Sequence, residues 1–146
     1  MVCSAGVRGR LLSICNISPM NRNAARGVDA ERLVMDLLQL RGWRVIARNW
    51  VCRWGELDLL MSKPDRLLLV EVKARSQAGF DAWGSASLDG RKRRCLERSF
   101  ACWLSQHADY QPYPVQMVLA LVRLPVSAGQ VRWINILETS LHRQDR

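Results

Sequence analysis

From Gly27 to about Leu40 the apolar positions recur at helical spacing, and Ala30, Leu33, Val34, Leu37 and Leu38 form one stripe. Gly42 supplies a stop signal. The period then changes. Trp43 to Asn49 alternates weakly and predicts a strand, and Trp54 to Met61 predicts a second. Lys63-Pro64-Asp65-Arg66 has turn chemistry, and Leu67 to Arg75 is a third, apolar-rich strand. Residues 76–88 carry Gly79, Gly84 and three serines and read as a loop. Asp89 is placed to cap a helix running to about His107, with Cys95, Phe100, Cys102, Trp103 and Leu104 as its apolar contacts. Pro112 and Pro114 end that helix. Val115 to Leu124 predicts a buried strand and Gln130 to Ile136 a last one. The order helix, three strands, helix, two strands predicts an α/β sandwich, a mixed sheet of about five strands flanked by helices.

Composition narrows the class. A chain of 146 residues with 49% apolar and 24% charged residues suits one globular domain and excludes wholesale disorder and low complexity. No apolar run is long enough to span a bilayer, so no membrane partner is expected. Lys and Arg total 22 against 13 Asp and Glu, a net charge of +9, which points to a polyanion and first to nucleic acid. Residues 1–21 form a basic tail expected to be disordered, 139–146 a C-terminal tail, and 22–138 the folded domain. Arg8 and Arg10 precede Leu11-Leu12, but the apolar stretch ends at Asn16, too short for a signal-peptide core; Met20 is an alternative start. Five cysteines at 3, 15, 52, 95 and 102 contain no Cys-x-x-Cys pair. That argues against a disulfide framework or a structural zinc site and fits a reducing cytoplasm. Cys95 and Cys102 are expected to share a helix face as small core residues.

The second and third strands concentrate the candidate chemistry. Alternation places Glu56, Asp58 and Leu60 on one face of strand two, and Leu57, Leu59 and Met61 on the other. Strand three presents Glu71 and Lys73 together. A symmetric loop centred on Pro64-Asp65 sets Asp58 opposite Glu71 and Glu56 opposite Lys73, with Cβ atoms of opposed residues ~4.5–5.5 Å apart. Two carboxylates at that range repel unless a cation lies between them. Lys73 supplies part of that charge, and Mg2+ or Mn2+ would supply more. A slip of the register by one residue would send one carboxylate to the wrong face. Glu31 sits at the edge of the helical stripe beside Val34 and Leu38. It either complements the helix dipole or delivers a third carboxylate to the same site. Carboxylates plus a lysine around a divalent ion suit phosphodiester hydrolysis; the same residues could equally form a cross-strand Glu56–Lys73 ion pair on a solvated face.

Gly27-Val-Asp-Ala-Glu31, Arg48-Asn49-Trp50, Gly55-Glu-Leu-Asp-Leu59, Val70-Glu-Val-Lys-Ala-Arg75 and Lys92-Arg93 together resemble, in order, the motifs of the YraN family of small bacterial proteins. The resemblance covers roughly residues 22–136. It implies a restriction-endonuclease-like core, similar to archaeal Holliday-junction resolvases, in which a helix glutamate, a strand aspartate and a Glu-x-Lys pair form a Mg2+-dependent nuclease centre. Carried over, these are Glu31, Asp58, Glu71 and Lys73, with Glu31, Asp58 and Glu71 as the metal ligands. Glu56 matches the Gly-Glu-x-Asp motif with no defined role. Resolvases act as dimers, which extends the expectation of a homodimer to this chain. Two positions depart from the pattern: Gln116 stands where the late strand of the family carries an acid, and Ala86 where its loop carries a proline.

Arg91-Lys92-Arg93-Arg94, with Arg98 a turn later, gathers positive charge at the start of the second helix, where it opposes the helix dipole and would welcome an anion. With Arg75 these residues are the expected nucleic-acid contacts, to DNA first. Most of the six tryptophans are expected in the core, and Trp83 in the loop is the candidate for base stacking. Three functions remain open on the residues: a Mg2+- or Mn2+-dependent endonuclease acting on DNA, branched DNA included; a non-catalytic nucleic-acid-binding module; and an interaction protein whose acidic pair is structural.

Overall fold

A computed structural model describes residues 22–76 and 89–139. The N-terminal tail, Trp83 and Ala86 of the loop, and residues 140–146 lie outside the described residues. Helix α1 spans Arg22–Gln39; strands β1 (Arg44–Cys52), β2 (Gly55–Lys63) and β3 (Arg66–Arg75) follow; then come helix α2 (Gly90–Ser105) and strands β4 (Val115–Arg123) and β5 (Val131–Thr139). The strands form one five-stranded sheet in the order β1-β2-β3-β4-β5, antiparallel throughout except for the parallel β3–β4 pair that α2 bridges. This is the predicted mixed α/β architecture, and it is consistent with a restriction-endonuclease-like core.

The two helices cover opposite faces. Ala30, Val34 and Leu38 of α1 pack on Leu59, Met61, Leu68, Val70, Val72, Val118, Ala120 and Val122. Leu96, Phe100 and Trp103 of α2 pack on Leu57, Leu60, Leu67, Leu69, Val115 and Met117. With both faces covered, β3 and β4 are apolar at consecutive positions, as central strands must be. Local chemistry sets the ends of the helices. At α1 the Gly42 backbone is left-handed (φ 83°), its N–H bonds to the Gln39 carbonyl at 3.0 Å, and the Trp43 N–H bonds back to the Leu38 carbonyl at 3.1 Å. That is the double closure a glycine permits after a helix. Asp89 caps α2 by accepting the Lys92 N–H at 2.7 Å. The helix ends at Ser105 rather than His107, because the His107 ring folds back onto the Trp103 indole, with centroids 4.0 Å apart and planes 9° from parallel.

The two-residue Pro64-Asp65 loop produces the expected register, from Lys63↔Arg66 to Leu59↔Val70. Beyond that point the expected alternation fails. Leu57 lies with Leu60 on the α2 side and not with Leu59 and Met61. β1 pairs Arg48 with Leu59 and Trp50 with Leu57, so Asn49, at φ 45°, stands across from Asp58. A left-handed residue inside a strand turns the ladder locally, and Leu57 changes face. The tryptophans also differ from expectation. Trp103 is buried, whereas Trp43, Trp50, Trp54 and Trp133 are half-buried; Trp43, Trp50 and Trp133 pack against the rims of the two clusters. Cys95 and Cys102 are likewise half-buried rather than core.

Leu60 is fully buried between sheet and α2, whereas Val51 on β1 is 68% exposed. Leu60→Ala is expected to cost ~2–5 kcal/mol in urea unfolding, and Val51→Ala no more than about 0.5 kcal/mol. Comparable losses at both sites would contradict the assignment of the inner and outer faces.

Candidate functional site

The β2–β3 ladder stops at Leu59↔Val70. Where the next backbone pair would form, the Asp58 carboxylate accepts the Val72 N–H at 2.8 Å through Oδ2. A side chain thus takes over a ladder bond, and the strands part around it. Asp58 and Glu71 therefore do not meet as an opposed backbone pair; they are joined through the Asp58–Val72 bond.

Glu71 is 1% exposed. Strand alternation brings Lys73 to its side, and the ammonium lies 2.8 Å from Glu71 Oε1. A second ammonium, from Lys92 in the first turn of α2, lies 3.0 Å from the same oxygen. The Asp89 cap bonds to the backbone of Lys92 itself, so the start of the helix and the position of this lysine are set together. Oε2 of Glu71 is buried and has no hydrogen-bond partner among the described residues. Glu31 approaches from α1 and accepts a 2.9 Å hydrogen bond from Asn49 Nδ2.

These charges meet at Asp58. Burial pushes its carboxyl up to about 7, helped by the nearby Glu71 and Glu31 charges and opposed by the Val72 N–H and Lys73. The expected residues Glu31, Asp58, Glu71 and Lys73 are thus brought into one electrostatic unit. Glu56 is exposed and stands apart, and Lys73 pairs with Glu71 rather than with Glu56. Among the described residues no three His, Cys, Asp or Glu side chains gather around a common point. Each carboxylate is held elsewhere: Glu71 by two lysines, Glu31 by Asn49, Asp58 by Val72. A hard divalent ion does not need three. Mg2+ keeps several waters and is often held by one or two carboxylates. An oxygen-only donor set, an unpartnered Glu71 oxygen and a surplus of negative charge at Asp58 fit such an ion, with Asp58 and Glu71 as ligands and Glu31 beside them.

The basic residues divide. Arg91 and Arg94 are exposed at the start of α2; Arg93 Nε is tied to Glu97 one turn on, at 3.1 Å; and Arg75 lies exposed at the end of β3, with its guanidinium 3.3 Å from the Ala74 carbonyl. Lys92, expected to face phosphates, turns inward to Glu71. Asn49 was visible only as part of the Arg48-Asn49-Trp50 motif, and its left-handed backbone and grip on Glu31 carry no sequence pattern of their own. The spacing of Lys92 after the capping Asp89 puts it in the first turn of α2 but does not give the direction of its side chain. Gln116, at the position of the missing acid, donates to Asn135 Oδ1 at 2.8 Å.

The model of the uncharacterised protein family UPF0102 matches residues 30–126, a span that holds Glu31, Asp58, Glu71, Lys73 and Lys92. A UPF0102 protein of Synechococcus sp. (strain CC9902) is 46% identical over 121 residues, 83% of this chain and 100% of the relative. One from Prochlorococcus marinus (strain MIT 9303) is 39% identical over 126 residues, 86% of this chain and 100% of the relative. One from Pseudomonas savastanoi pv. phaseolicola is 34% identical over 119 residues, 80% of this chain and 94% of the relative.

A carboxyl raised in the folded state holds its proton more tightly there than in the unfolded chain, so ionising it costs folding free energy. The cost is absent below the unfolded value of 3.8 and complete above about 7. Asp58→Asn keeps an acceptor for the Val72 N–H and removes the charge. Without divalent ions it is expected to melt a few degrees above wild type at pH 8, on the order of 1 kcal/mol, with no advantage at pH 3. Melting curves at the two pH values check this, and an equal difference at both would refute the charge argument.

Proposed function

The chain belongs to the uncharacterised protein family UPF0102, and we propose that it is a Mg2+- or Mn2+-dependent endonuclease hydrolysing phosphodiester bonds of DNA, with branched DNA in its substrate range. One observation carries the proposal. The fully buried Glu71 is flanked by two lysines and adjoins an aspartate whose own ionisation is opposed by its surroundings. An inert scaffold gains no stability from leaving carboxylates in mutual repulsion beside an unpartnered buried oxygen. The net charge of +9 supports a polyanionic substrate.

In this reading Asp58 and Glu71 hold the ion, and Glu31, steadied by Asn49, adds negative charge beside it. The bound ion supplies Lewis acidity toward the phosphoryl oxygen and lowers the pKa of a water. Asp58 would have to be ionised to hold a cation, so binding would strengthen as pH rises through about 7. Lys73, on Glu71 and partly exposed, is placed to meet the charge that develops on the phosphate. Lys92 holds the same Glu71 oxygen from α2. Cleavage of both strands of a junction would call for two copies of the chain, and we include a homodimer acting on DNA in the cytoplasm in the proposal. Among the described residues no helix is long and apolar enough to cross a membrane.

One observation favours a second reading, a nucleic-acid-binding module without catalysis: Lys73 and Lys92 already neutralise Glu71, and no three-carboxylate cluster forms among the described residues.

The two separate on a panel of linear, flapped, nicked and four-way DNA substrates with Mn2+. The nuclease reading expects cleavage by wild type, its abolition by EDTA, and losses of roughly 100-fold or more in Asp58→Asn, Glu71→Gln and Lys73→Ala, with DNA binding kept. Binding without cleavage on any substrate would establish the second reading. A metal titration gives an independent check: Mn2+ is expected to raise the Tm of wild type by mass action and to leave Asp58→Asn unmoved.

A further inference from the structure

The turn between β1 and β2 is built against α2. The Cys52 thiol donates to the hydroxyl of Ser99, fully buried on α2, at 3.5 Å, and the Trp54 N–H bonds to Cys52 Sγ at 3.4 Å. Gly55, at φ 143°, adopts a backbone that side chains rarely take, and a Cβ there would lie 3.6 Å from Ser99 Oγ. The turn is therefore held in one position, and it presents Trp54 to the solvent side of the helix. Two guanidiniums lie on that indole: Arg53 Cζ is 4.5 Å and Arg98 Cζ 4.7 Å from the ring centroid. Among the described residues no carboxylate pairs with either of them. Both arginines are exposed and, with Trp54, Ala101 and Cys102, line an open cleft of about 520 Å³.

Two like charges on one ring repel, and among the described residues no ion pair offsets them. A guanidinium held over an indole by cation–π attraction keeps N–H donors for an anion. Such a pair suits a tetrahedral oxyanion better than a base, since the guanidiniums already lie over the ring. Arg91 and Arg94 precede Arg98 at helical spacing on the exposed side of α2, so the positive charge continues along the helix. We propose that Arg53, Trp54 and Arg98 form a docking subsite for phosphate groups of a nucleic-acid strand, on the same layer of the fold as Glu71 and Lys92. The assignment rests on the nucleic-acid reading above but not on catalysis.

Binding of labelled single- and double-stranded oligodeoxynucleotides, measured in EDTA across a salt series, tests it. Arg53→Gln/Arg98→Gln is expected to raise Kd about tenfold and to lower the slope of log K against log salt by about 2 for the duplex. Arg53→Lys/Arg98→Lys is expected to restore the slope, and Trp54→Ala to weaken binding while keeping it. Each variant is checked for a wild-type Tm. An unchanged slope and Kd in a folded double glutamine variant overturns the subsite, as does a wild type that binds neither oligonucleotide. Displacement of the oligonucleotide by inorganic phosphate well below the chloride concentration that does the same assigns the subsite to free phosphate and overturns the strand. Because cleavage plays no part in EDTA, a chain that docks DNA here and never cuts it sinks the nuclease reading alone, and one that cuts normally without Arg53 and Arg98 sinks the subsite alone.

Discussion

Glu71 is a carboxylate taken out of water in the middle of a sheet, and the rest of the site follows from how that charge is held. An isolated buried ion of this kind is too costly to keep; a paired one with hydrogen-bonding partners is tolerable. The two ammonium groups come from different elements, Lys73 from the same strand and Lys92 from the helix above it. The pair with Lys73 is local and forms with the strand. The pair with Lys92 exists only once α2 is docked, and it therefore ties the start of that helix to β3. The Asp89 cap and the Glu71 charge act on the same residue, one on its backbone and one on its side chain.

With both lysines committed to one oxygen of Glu71, the remaining negative charge falls on Asp58 and Glu31. Neither has a cation in direct contact among the described residues; Asp58 has a backbone N–H and Glu31 the Asn49 amide. Neutral donors hold a carboxylate in place without cancelling its charge. The arrangement is thus cationic on the α2 side and anionic toward β2 and α1. A phosphodiester group and a divalent ion want surroundings of those two opposite signs, and this polarity is what the proposed function would draw on.

Much of this was legible in the residues. The Pro64-Asp65 turn dictates the β2–β3 register, and the hairpin follows it up to Leu59↔Val70. Asp89 announces the second helix, and the stripe from Ala30 to Leu38 the first. Legibility ends at Asp58. Period-2 alternation assumes a regular ladder, and here a left-handed Asn49 and a side chain that captures the Val72 N–H break it. The direction in which Lys92 points was equally hidden. A run of four basic residues looks like a solvated face until the sheet below it is known to carry a buried carboxylate. The surroundings of Trp54 carry no signal either: nothing in composition says that Arg98, distant in the chain, will join the neighbouring Arg53 on its ring.

The parallel β3–β4 pair has a kinetic side. β1, β2 and β3 are joined by tight turns and form their contacts locally, whereas Leu67 and Val115 must find each other across the whole α2 crossover. Loop-closure entropy opposes such distant pairings, and topologies rich in them fold slowly. Asp58 and Glu71 belong to the local meander; Lys92 arrives with the crossover. The acids thus share the local part of the topology, while the second ammonium on Glu71 belongs to the non-local part, so the repulsion between them is set by short-range pairing and its relief by long-range pairing.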